Sequence, residues 1–269
     1  MKTVIIIPAR YGSTRLPGKP LVQINGQSML SRVVEICKAA SVGIENISIV
    51  VATDDQRIGD HCDEIAVEWL MTSVDAPTGT DRAAEAVRQL PERPDFVINM
   101  QGDAPLTPPD FLANMIASYI DQPCDAITPV TQLSWEQLDK LRENKKSTPF
   151  SGTTAAFDEV TGKAFWFSKS IIPAIRNENV QRVQGKMSPV YRHIGLYGYS
   201  YDMLQKYAQL AESRLEKIEG LELLRLIEHG YTLRCVAVDY KGRANMSGVD
   251  SPEDIIRAET LIKVHGELL

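Results

Sequence analysis

A chain of 269 residues with ordinary hydrophobic (43%) and charged (24%) fractions can bury the core of a large globular domain. Its net charge of −6 argues against broad contact with nucleic acid or an anionic membrane. No apolar run approaches the roughly 20 residues of a spanning helix, and no signal-peptide pattern is present. The four cysteines are far apart, which favours reduced thiols over disulfides or a zinc site. We therefore expect a cytoplasmic protein that binds no nucleic acid and spans no membrane.

The first predicted strand, residues 4–7, is a continuous apolar run that leads directly into a glycine-containing loop at residues 8–19. Such runs are typical of buried strands in parallel sheets. The loop carries three cations, Arg10, Arg15 and Lys19. Because the carboxyl ends of strands open onto the binding crevice of α/β sheets, small residues and cations there predict a polyphosphate-binding loop, with a solvated surface loop as the alternative. The loop matches neither the P-loop nor the dinucleotide-binding glycine pattern.

The next segments alternate between helical and strand patterns. The predicted elements are a helix over 28–40, a strand over 47–52, a short helix over 57–64, a strand over 66–71, a helix over 82–90, a strand over 95–100, a helix over 108–120 and a strand over 124–130. This order predicts a mostly parallel sheet with right-handed crossovers. Asp54 and Asp55, at the end of the second strand, are candidates to cap the next helix or to contact a ribose.

The pattern changes after residue 130. The basic run over 140–147 lacks apolar spacing and predicts an exposed connection. Residues 153–157 and 164–167 flank a glycine turn and predict a β-hairpin. The remaining expectations are a polar, mobile segment over 177–188, a strand over 191–199, a helix over 214–225, a strand over 231–238 and a C-terminal helix over 255–264. The alternation over 191–199 would put His193 and Tyr197 on one face of one strand, where packing and substrate contact are both possible roles.

Three polar residues in loops each have an ordinary structural explanation, and two of them also stand where binding sites occur in α/β sheets. Asp103 follows the strand over 95–100 and a glycine, so it could hold a divalent cation or be an ordinary turn residue. Thr80, in the loop before a helix, could contact a nucleotide or cap that helix. Asp250 precedes Ser251 and Pro252, which are typical of a helix start, and from this pattern alone it is an ordinary residue before a helix.

Four segments resemble the signature motifs of the CMP-Kdo synthetases, the 3-deoxy-manno-octulosonate cytidylyltransferases. They are P-A-R-Y-G-S-T-R-L-P-G-K (8–19), V-I-N-M-Q-G-D (97–103), R-H-I-G-L-Y-G-Y (192–199) and G-V-D-S-P-E-D (248–254). The resemblance extends from Ile5 to about Ala258. It implies an α/β fold: one nucleotidyltransferase domain over 1–269 with a mostly parallel, Rossmann-like three-layer sheet. An antiparallel lid or dimerisation subdomain is expected over 153–201, and the protein is expected to be a homodimer.

The resemblance also implies a reaction. CTP and a 3-deoxy-octulosonate sugar acid would give a CMP-sugar and pyrophosphate for lipopolysaccharide synthesis, with Mg²⁺ as cofactor. The implied nucleotide contacts are Ala9, Arg10, Arg15, Lys19, Thr80 and Gln101. The implied contacts to the sugar acid are Arg82, Gln101, Lys169, His193, Tyr197 and Glu222. The metal would be held by Asp103 and Asp250, and catalysis would rest on Arg10, Lys19, Asp103 and Asp250.

Three positions depart from the family pattern, all on the side of the sugar acid. Ala104 replaces a Glu, Lys169 an Arg and Leu223 a Gln. This asymmetry favours retained phosphate chemistry with a different sugar acid, such as the 8-amino analogue of Kdo, which the loop over 72–82 also suggests. The alternatives from another class are a non-catalytic sugar-nucleotide-binding protein and a GT-A-type glycosyltransferase, which would normally carry D-x-D after a strand.

Overall fold

The structure is a computed structural model that describes residues 1–13, 15–245 and 248–269. Thr14 of the predicted phosphate loop, and Met246 and Ser247 before the last motif, lie outside the described residues. The strands, in chain order, are β1 (Thr3–Ala9), β2 (Gln23–Ile24), β3 (Gln27–Ser28), β4 (Ile47–Thr53), β5 (Glu68–Met71), β6 (Phe96–Asn99), β7 (Ala126–Ser134), β8 (Thr154–Phe157), β9 (Ala164–Ser168), β10 (Met187–His193), β11 (Tyr197–Ser200) and β12 (Leu233–Ala237).

The helices occur between these strands in nearly regular alternation over the first half of the chain. They are α1 (Met29–Ala40), α2 (Gln56–Glu64), α3 (Gly79–Arg88), α4 (Pro109–Asp121), α5 (Trp135–Ser147), α6 (Glu178–Gln184), α7 (Tyr201–Tyr207), α8 (Arg214–Glu219), α9 (Leu223–Glu228) and α10 (Pro252–His265). A short 3-10 helix spans Lys19–Leu21. The predicted helices and strands of the first 130 residues are therefore confirmed, with ends that differ by a few residues.

The described residues form a ten-stranded mixed sheet in the order β5-β4-β1-β6-β11-β7-β10-β8-β9, with β12 beside β7. The first four strands in this order are mutually parallel. Beyond β6, the chain adds antiparallel strands, and β12 is again parallel to β7. The predicted α/β class with an antiparallel part is confirmed. The strands of the segment 153–201 continue this sheet, and a lid or dimerisation role for that segment stays a prediction.

β1 shows why the sheet is covered on both faces. Val4 and Ile6 pack with α3 on one side, while Ile5 and Ile7 pack with α1 and α4 on the other. All four side chains are at most 1% exposed, so each isoleucine contributes about 1.5–3 kcal/mol through burial. The continuous apolar run therefore produces the predicted three layers and fixes where the loop after β1 emerges.

β11 lies antiparallel between β6 and β7. Gly198, in its middle, has no room for a side chain, because a Cβ there would lie 2.6 Å from the side chains of Ile127 and Phe96. The glycine lets this strand close the gap between the parallel half and the antiparallel half of the sheet.

The prediction of a connection over 140–147 was wrong, although most of these residues are exposed as expected. These residues belong to α5, which begins at Trp135, five positions before the charged run. The helix is anchored by Trp135, Leu138 and Leu141, all buried. Lys145, within the run, donates from Nζ to the carbonyls of Gly152 at 2.9 Å and Lys169 at 2.6 Å. Part of the charged run therefore links α5 to the turn after β9.

The segment 177–188, expected to be polar and mobile, contains α6. Glu178 at its start accepts two hydrogen bonds of 2.8 Å from Arg142 of α5. Arg182, one turn later in α6, donates to the same carboxylate. An ion-pair network that joins two helices therefore holds α6, which has no buried residue of its own.

Two predicted elements are divided. The strand over 191–199 is β10, which ends at His193, and β11, which begins at Tyr197. The helix over 214–225 is α8 and α9, because Gly220 adopts a left-handed φ of +63° and ends α8. His193 and Tyr197 therefore lie on different strands, and Glu222 stands at the start of α9 instead of on the face of a long helix.

Candidate active site

A cleft with a cavity of about 300 Å³ opens where β6 and β10 end and β11 begins. It brings together seven of the predicted site residues from separate parts of the chain. They are Thr80, Gln101, Asp103, His193, Tyr197, Glu222 and Asp250. The predicted cleft at the ends of the strands is thus formed by side chains of loops, strands and a helix start.

Glycines bring the loops after β1 and β6 close together. Gly102 lies against the end of β1, since a Cβ there would be 2.7 Å from the carbonyl oxygen of Pro8. Gly18 adopts a left-handed φ of +66° and packs on the ring of Tyr11. These two glycines place Asp103 and Lys19, which follow them, next to each other.

Lys19 lies between two carboxylates. Its Nζ is 2.7 Å from Asp103 Oδ2 and 3.0 Å from Asp250 Oδ1. Arg15 adds a second cation, 3.2 Å from Asp250. The two acidic loops are also joined through their backbones, because Val249 N donates to the Asp103 carbonyl at 2.8 Å.

For the pKa values of both Lys19 and Asp250, the ion pairs outweigh the effect of burial. Burial favours neutral Lys19, but Asp103 and Asp250 raise the pKa of Lys19 above its ordinary value. Burial would also raise the pKa of Asp250, yet Lys19 and Arg15 hold that pKa below its ordinary value. Lys19 and Asp250 are therefore charged at neutral pH, and the position between the two aspartates favours a cation.

Two further predicted nucleotide contacts, Ala9 and Arg10, lie outside the residues that line the cavity. Ala9 is the last residue of β1, and Arg10 is exposed immediately after it. Within the described part of the chain, no ion pair or side-chain hydrogen bond involves Arg10. A guanidinium group that is exposed and has no partner there is available to an anionic ligand.

A chain of hydrogen bonds crosses the floor of the cleft. Gln101 Nε2 donates to Asn99 Oδ1 at 3.2 Å, and Asn99 Nδ2 donates to Thr80 Oγ1 at 3.2 Å. Thr80 Oγ1 in turn donates to Glu222 Oε2 at 2.8 Å. Burial raises the pKa of Glu222 above its ordinary value, although the bond from Thr80 opposes that shift. The chain thus joins the loop after β6 to the start of α9.

His193 is neutral at physiological pH. Burial, together with the nearby Lys169 and Arg192, lowers the pKa of His193 to about 3. Its Nε2 lies 2.8 Å from Thr128 Oγ1, and that hydroxyl group donates its one proton to the Leu196 carbonyl at 2.8 Å. Nε2 must then carry the ring proton, which leaves Nδ1 as a hydrogen-bond acceptor.

Tyr197 lies close to His193, with ring centroids 5.8 Å apart. Burial and the carboxylates of Glu222 and Asp103 raise the pKa of Tyr197. The phenol therefore keeps its proton. The cleft offers an acceptor on His193, a donor on Tyr197 and a carboxylate on Glu222, which suits a polyhydroxylated ligand.

Two predicted contacts to the sugar acid lie outside the residues that line the cavity. Arg82, 3% exposed, pairs with Asp54 at 2.7 Å and donates to Thr72 at 2.6 Å. Lys169 donates from Nζ to Thr153 Oγ1 at 3.2 Å.

Asp55 accepts a hydrogen bond from Arg57 N and caps α2, which agrees with the capping alternative.

The three departures from the family pattern have different surroundings. Ala104 lines the cavity. Leu223 is 3% exposed and packs in the apolar core, so its side chain does not face the cleft. Lys169 is held through its backbone N, which donates to Glu219 Oε2 at 2.8 Å. Only Ala104 therefore changes the lining of the cavity directly.

Sequence reasoning missed several residues of the site. Asn99 is fully buried at the centre of the hydrogen-bond chain, and Arg192 and Tyr240 line the cavity. Arg192 stands at the start of the R-H-I-G motif, which was the available signal.

Among the residues that the structure describes, no group of three or more His, Cys, Asp or Glu side chains could hold a metal ion. No described helix has the length and apolarity needed to cross a membrane.

Comparison with known proteins gives one consistent result. Residues 4–236 match the model of the cytidylyltransferase family. A 3-deoxy-manno-octulosonate cytidylyltransferase of Maricaulis maris (strain MCS10) is 43% identical over 270 residues, covering 100% of both chains. The protein with the same name from Desulfatibacillum aliphaticivorans is 38% identical, covering 98% of this chain and 99% of its own. A solved CMP:2-keto-3-deoxy-manno-octonic acid synthetase in complex with CTP has a TM-score of 0.82 at 32% identity, over 98% of this chain and 99% of that one.

Proposed function

The chain belongs to the family of 3-deoxy-manno-octulosonate cytidylyltransferases, as its motifs predicted, and we propose that it joins CMP from CTP to a 3-deoxy-octulosonate sugar acid. Pyrophosphate leaves as the anomeric hydroxyl group attacks the α-phosphorus. The observation that carries the proposal is the Lys19–Asp103–Asp250 cluster, which lies beside the cationic loop and opens onto a cavity with hydroxyl-binding groups.

The nucleotide occupies the side of the cleft next to the loop after β1. Arg10, Arg15 and Lys19 bind the triphosphate and offset the negative charge that grows on the leaving pyrophosphate. Ala9, Thr80 and Gln101 contact the nucleoside. Gln101 suits this role because its amide group is bonded to Asn99, which fixes its position.

The two aspartates fit a magnesium ion. Mg²⁺ is usually held in proteins by one or two carboxylates together with phosphate oxygens of the substrate. Asp103 and Asp250 offer two such carboxylates, and they already share one cation, the ammonium group of Lys19. When bound, Mg²⁺ would lower the pKa of the attacking hydroxyl group and neutralise phosphate charge. Lys19 would then donate to phosphate oxygens.

The sugar acid occupies the part of the cleft between β10, β11 and α9. His193 accepts a hydrogen bond from a sugar hydroxyl group at Nδ1, and Tyr197 donates one. Glu222 accepts hydrogen bonds from sugar hydroxyl groups, and the bond from Thr80 fixes its orientation. Because a pKa of about 3 makes His193 a very weak base and Tyr197 stays protonated, these residues orient the acceptor and do not remove its proton.

A second candidate for the acceptor is the 8-amino analogue of Kdo. The carboxylate of Glu222 is bonded to the Thr80 hydroxyl group, and no cation among the described residues forms an ion pair with it. An ammonium group on the substrate would supply that cation, whereas a hydroxyl group would supply only a neutral hydrogen bond. Glu222→Gln should therefore cost more activity with the amino sugar than with Kdo.

The proposal is tested by pyrophosphate release with CTP and Mg²⁺ in the presence of Kdo, 8-amino-Kdo or N-acetylneuraminate. We expect release with an octulosonate and none with N-acetylneuraminate, and a fall of at least about 1,000-fold in Asp103→Asn. If CTP binds but none of the three acceptors supports pyrophosphate release, the proposed function is wrong. A cytoplasmic location, expected from the composition, and a homodimer, implied by the resemblance, stay predictions.

A further inference from the structure

Arg192 lies in the wall between two cavities. It lines the active-site cleft and also a neighbouring cavity of about 1030 Å³ that is bordered by α5, β7 and the segment 237–245. Tyr240 and Asn245 are the other residues common to both linings. Arg192 thus borders both cavities from the end of β10.

The guanidinium group of Arg192 has no ion-pair or hydrogen-bond partner among the residues that the structure describes. Arg192 is only partly exposed, and burial together with the charge of Arg257 lowers its pKa. An arginine nevertheless remains protonated at neutral pH, so a partly buried charge is left without a partner. Such an arrangement is unfavourable unless an anion from outside the chain completes it.

The other cations near the cleft are paired, hydrogen-bonded or outside its lining: Arg15 pairs with Asp250, and the exposed Arg10 does not line the cavity. The ammonium group of Lys19 is shared by Asp103 and Asp250. Lys169 is bonded to Thr153 and lies outside the cavity lining. Among the described residues that line the cleft, Arg192 is therefore the only one with a permanent positive charge.

The cleft needs such a charge if its ligand is an acid. Asp103, Glu222 and Asp250 line the same cavity, and these carboxylates would repel the carboxylate of a sugar acid. Arginine offers two parallel N–H groups that match the two oxygens of a carboxylate. His193, the next residue along β10, can meanwhile bind a hydroxyl group of the same sugar.

We propose that Arg192 binds the carboxylate of the sugar acid and thereby selects acids over neutral sugars, an inference that rests on the proposed function. Lys169, the predicted contact that replaces the family arginine, would then contribute a more distant charge. The neighbouring cavity gives the long side chain of Arg192 room to withdraw when the product leaves.

The test compares Arg192→Gln with the unaltered protein, using the sugar acid and its carboxamide. We expect Arg192→Gln to lower kcat/KM for the acid about 10- to 100-fold, with the KM for CTP unchanged. Arg192→Lys should lose less because it keeps a point charge. Arg257→Gln is the matched control, since Arg257 lines only the neighbouring cavity, and it should change kcat/KM less than about threefold.

The carboxamide separates a direct contact from a structural effect. Measured as a competitor of the acid, it should bind the unaltered protein and Arg192→Gln equally, within about threefold. If Arg192→Gln weakens the carboxamide as much as the acid, Arg192 does not bind the carboxylate and the inference is wrong. If none of the octulosonates supports pyrophosphate release by the unaltered protein, the proposed function is wrong, and the inference is wrong with it. If the unaltered protein turns over the sugar acid and Arg192→Gln has the same kcat/KM for it, the inference is wrong while the proposed function stands.

Discussion

Replacing Lys19 by Met should make the free protein bind divalent cations more tightly while it slows the reaction. The Lys19 ammonium group lies 2.7 Å from Asp103 Oδ2 and 3.0 Å from Asp250 Oδ1. A metal ion on the same oxygens would therefore lie within about 5 Å of that group. At this distance a divalent ion and an ammonium ion repel each other by about 1.7 kcal/mol even in water, or about 15-fold in the dissociation constant.

The assay is a titration with Mn²⁺ in the absence of CTP, with free Mn²⁺ measured by electron paramagnetic resonance. We expect the dissociation constant of Lys19→Met to fall about 15-fold and its kcat/KM to fall about 100-fold or more, because the leaving pyrophosphate loses a donor. Lys38→Met is the matched control, since Lys38 pairs with Glu35 on an exposed face of α1. Equal Mn²⁺ affinity in Lys19→Met and the unaltered protein would refute the view that Lys19 occupies the cation position.

Three further predictions concern His193, Lys145 and Arg82. Because burial lowers the pKa of His193 from 6.5 to about 3, the unfolded chain takes up the proton first on acidification. The free energy of unfolding, from urea titrations, should thus fall between pH 7 and pH 5 by about 2 kcal/mol more than in His193→Gln, and equal slopes would contradict this. Lys145→Met should destabilise the fold by about 2–3 kcal/mol, since it leaves carbonyls without a donor, whereas exposed Lys146→Met should cost less than about 0.5 kcal/mol. Arg82→Met should cost about 3–5 kcal/mol by leaving Asp54 unpaired, without raising the KM for the sugar acid; a raised KM with little loss of stability would instead support the predicted substrate contact.

The sequence predicted best where one short-range signal decides the structure. Apolar runs and helical spacing located β1, α1 and β4 to within a residue or two, because burial on both faces of a parallel sheet leaves few alternatives. Ser251 and Pro252 correctly marked the start of α10. These signals depend only on neighbouring residues, so a single sequence contains them in full.

The predictions failed where distant partners decide the outcome. The run over 140–147 is helical because Trp135, Leu138 and Leu141 pack on the sheet, and Lys145 caps carbonyls of a segment that folds beside it. The alternation over 191–199 could not show that the chain changes partners after His193. The pairing of Arg82 with Asp54 likewise depends on a contact across 28 positions of the chain.

The site itself was predicted through motifs more than through physics. Asp103 was either a cation ligand or a turn residue, and Asp250 was an ordinary residue before a helix, until the resemblance joined them. No local pattern shows that two such loops meet. Asn99 was missed because a polar residue inside an apolar strand reveals its role only when Thr80 and Gln101 are seen on either side of it.

The position of β11 has a consequence for how the chain folds during synthesis. β6 and β7 follow each other in sequence, yet they are separated in the sheet by a strand that is made about 70 residues after β7 begins. Until that strand leaves the ribosome, the parallel half has an open edge at β6, whose backbone groups can pair with another chain. At about 5–20 residues per second this exposure lasts several seconds, and folding is delayed further because the closing contacts are far apart in sequence. Fragments that end before Tyr197 should therefore aggregate, and chaperones that shield strand edges should matter most during that interval.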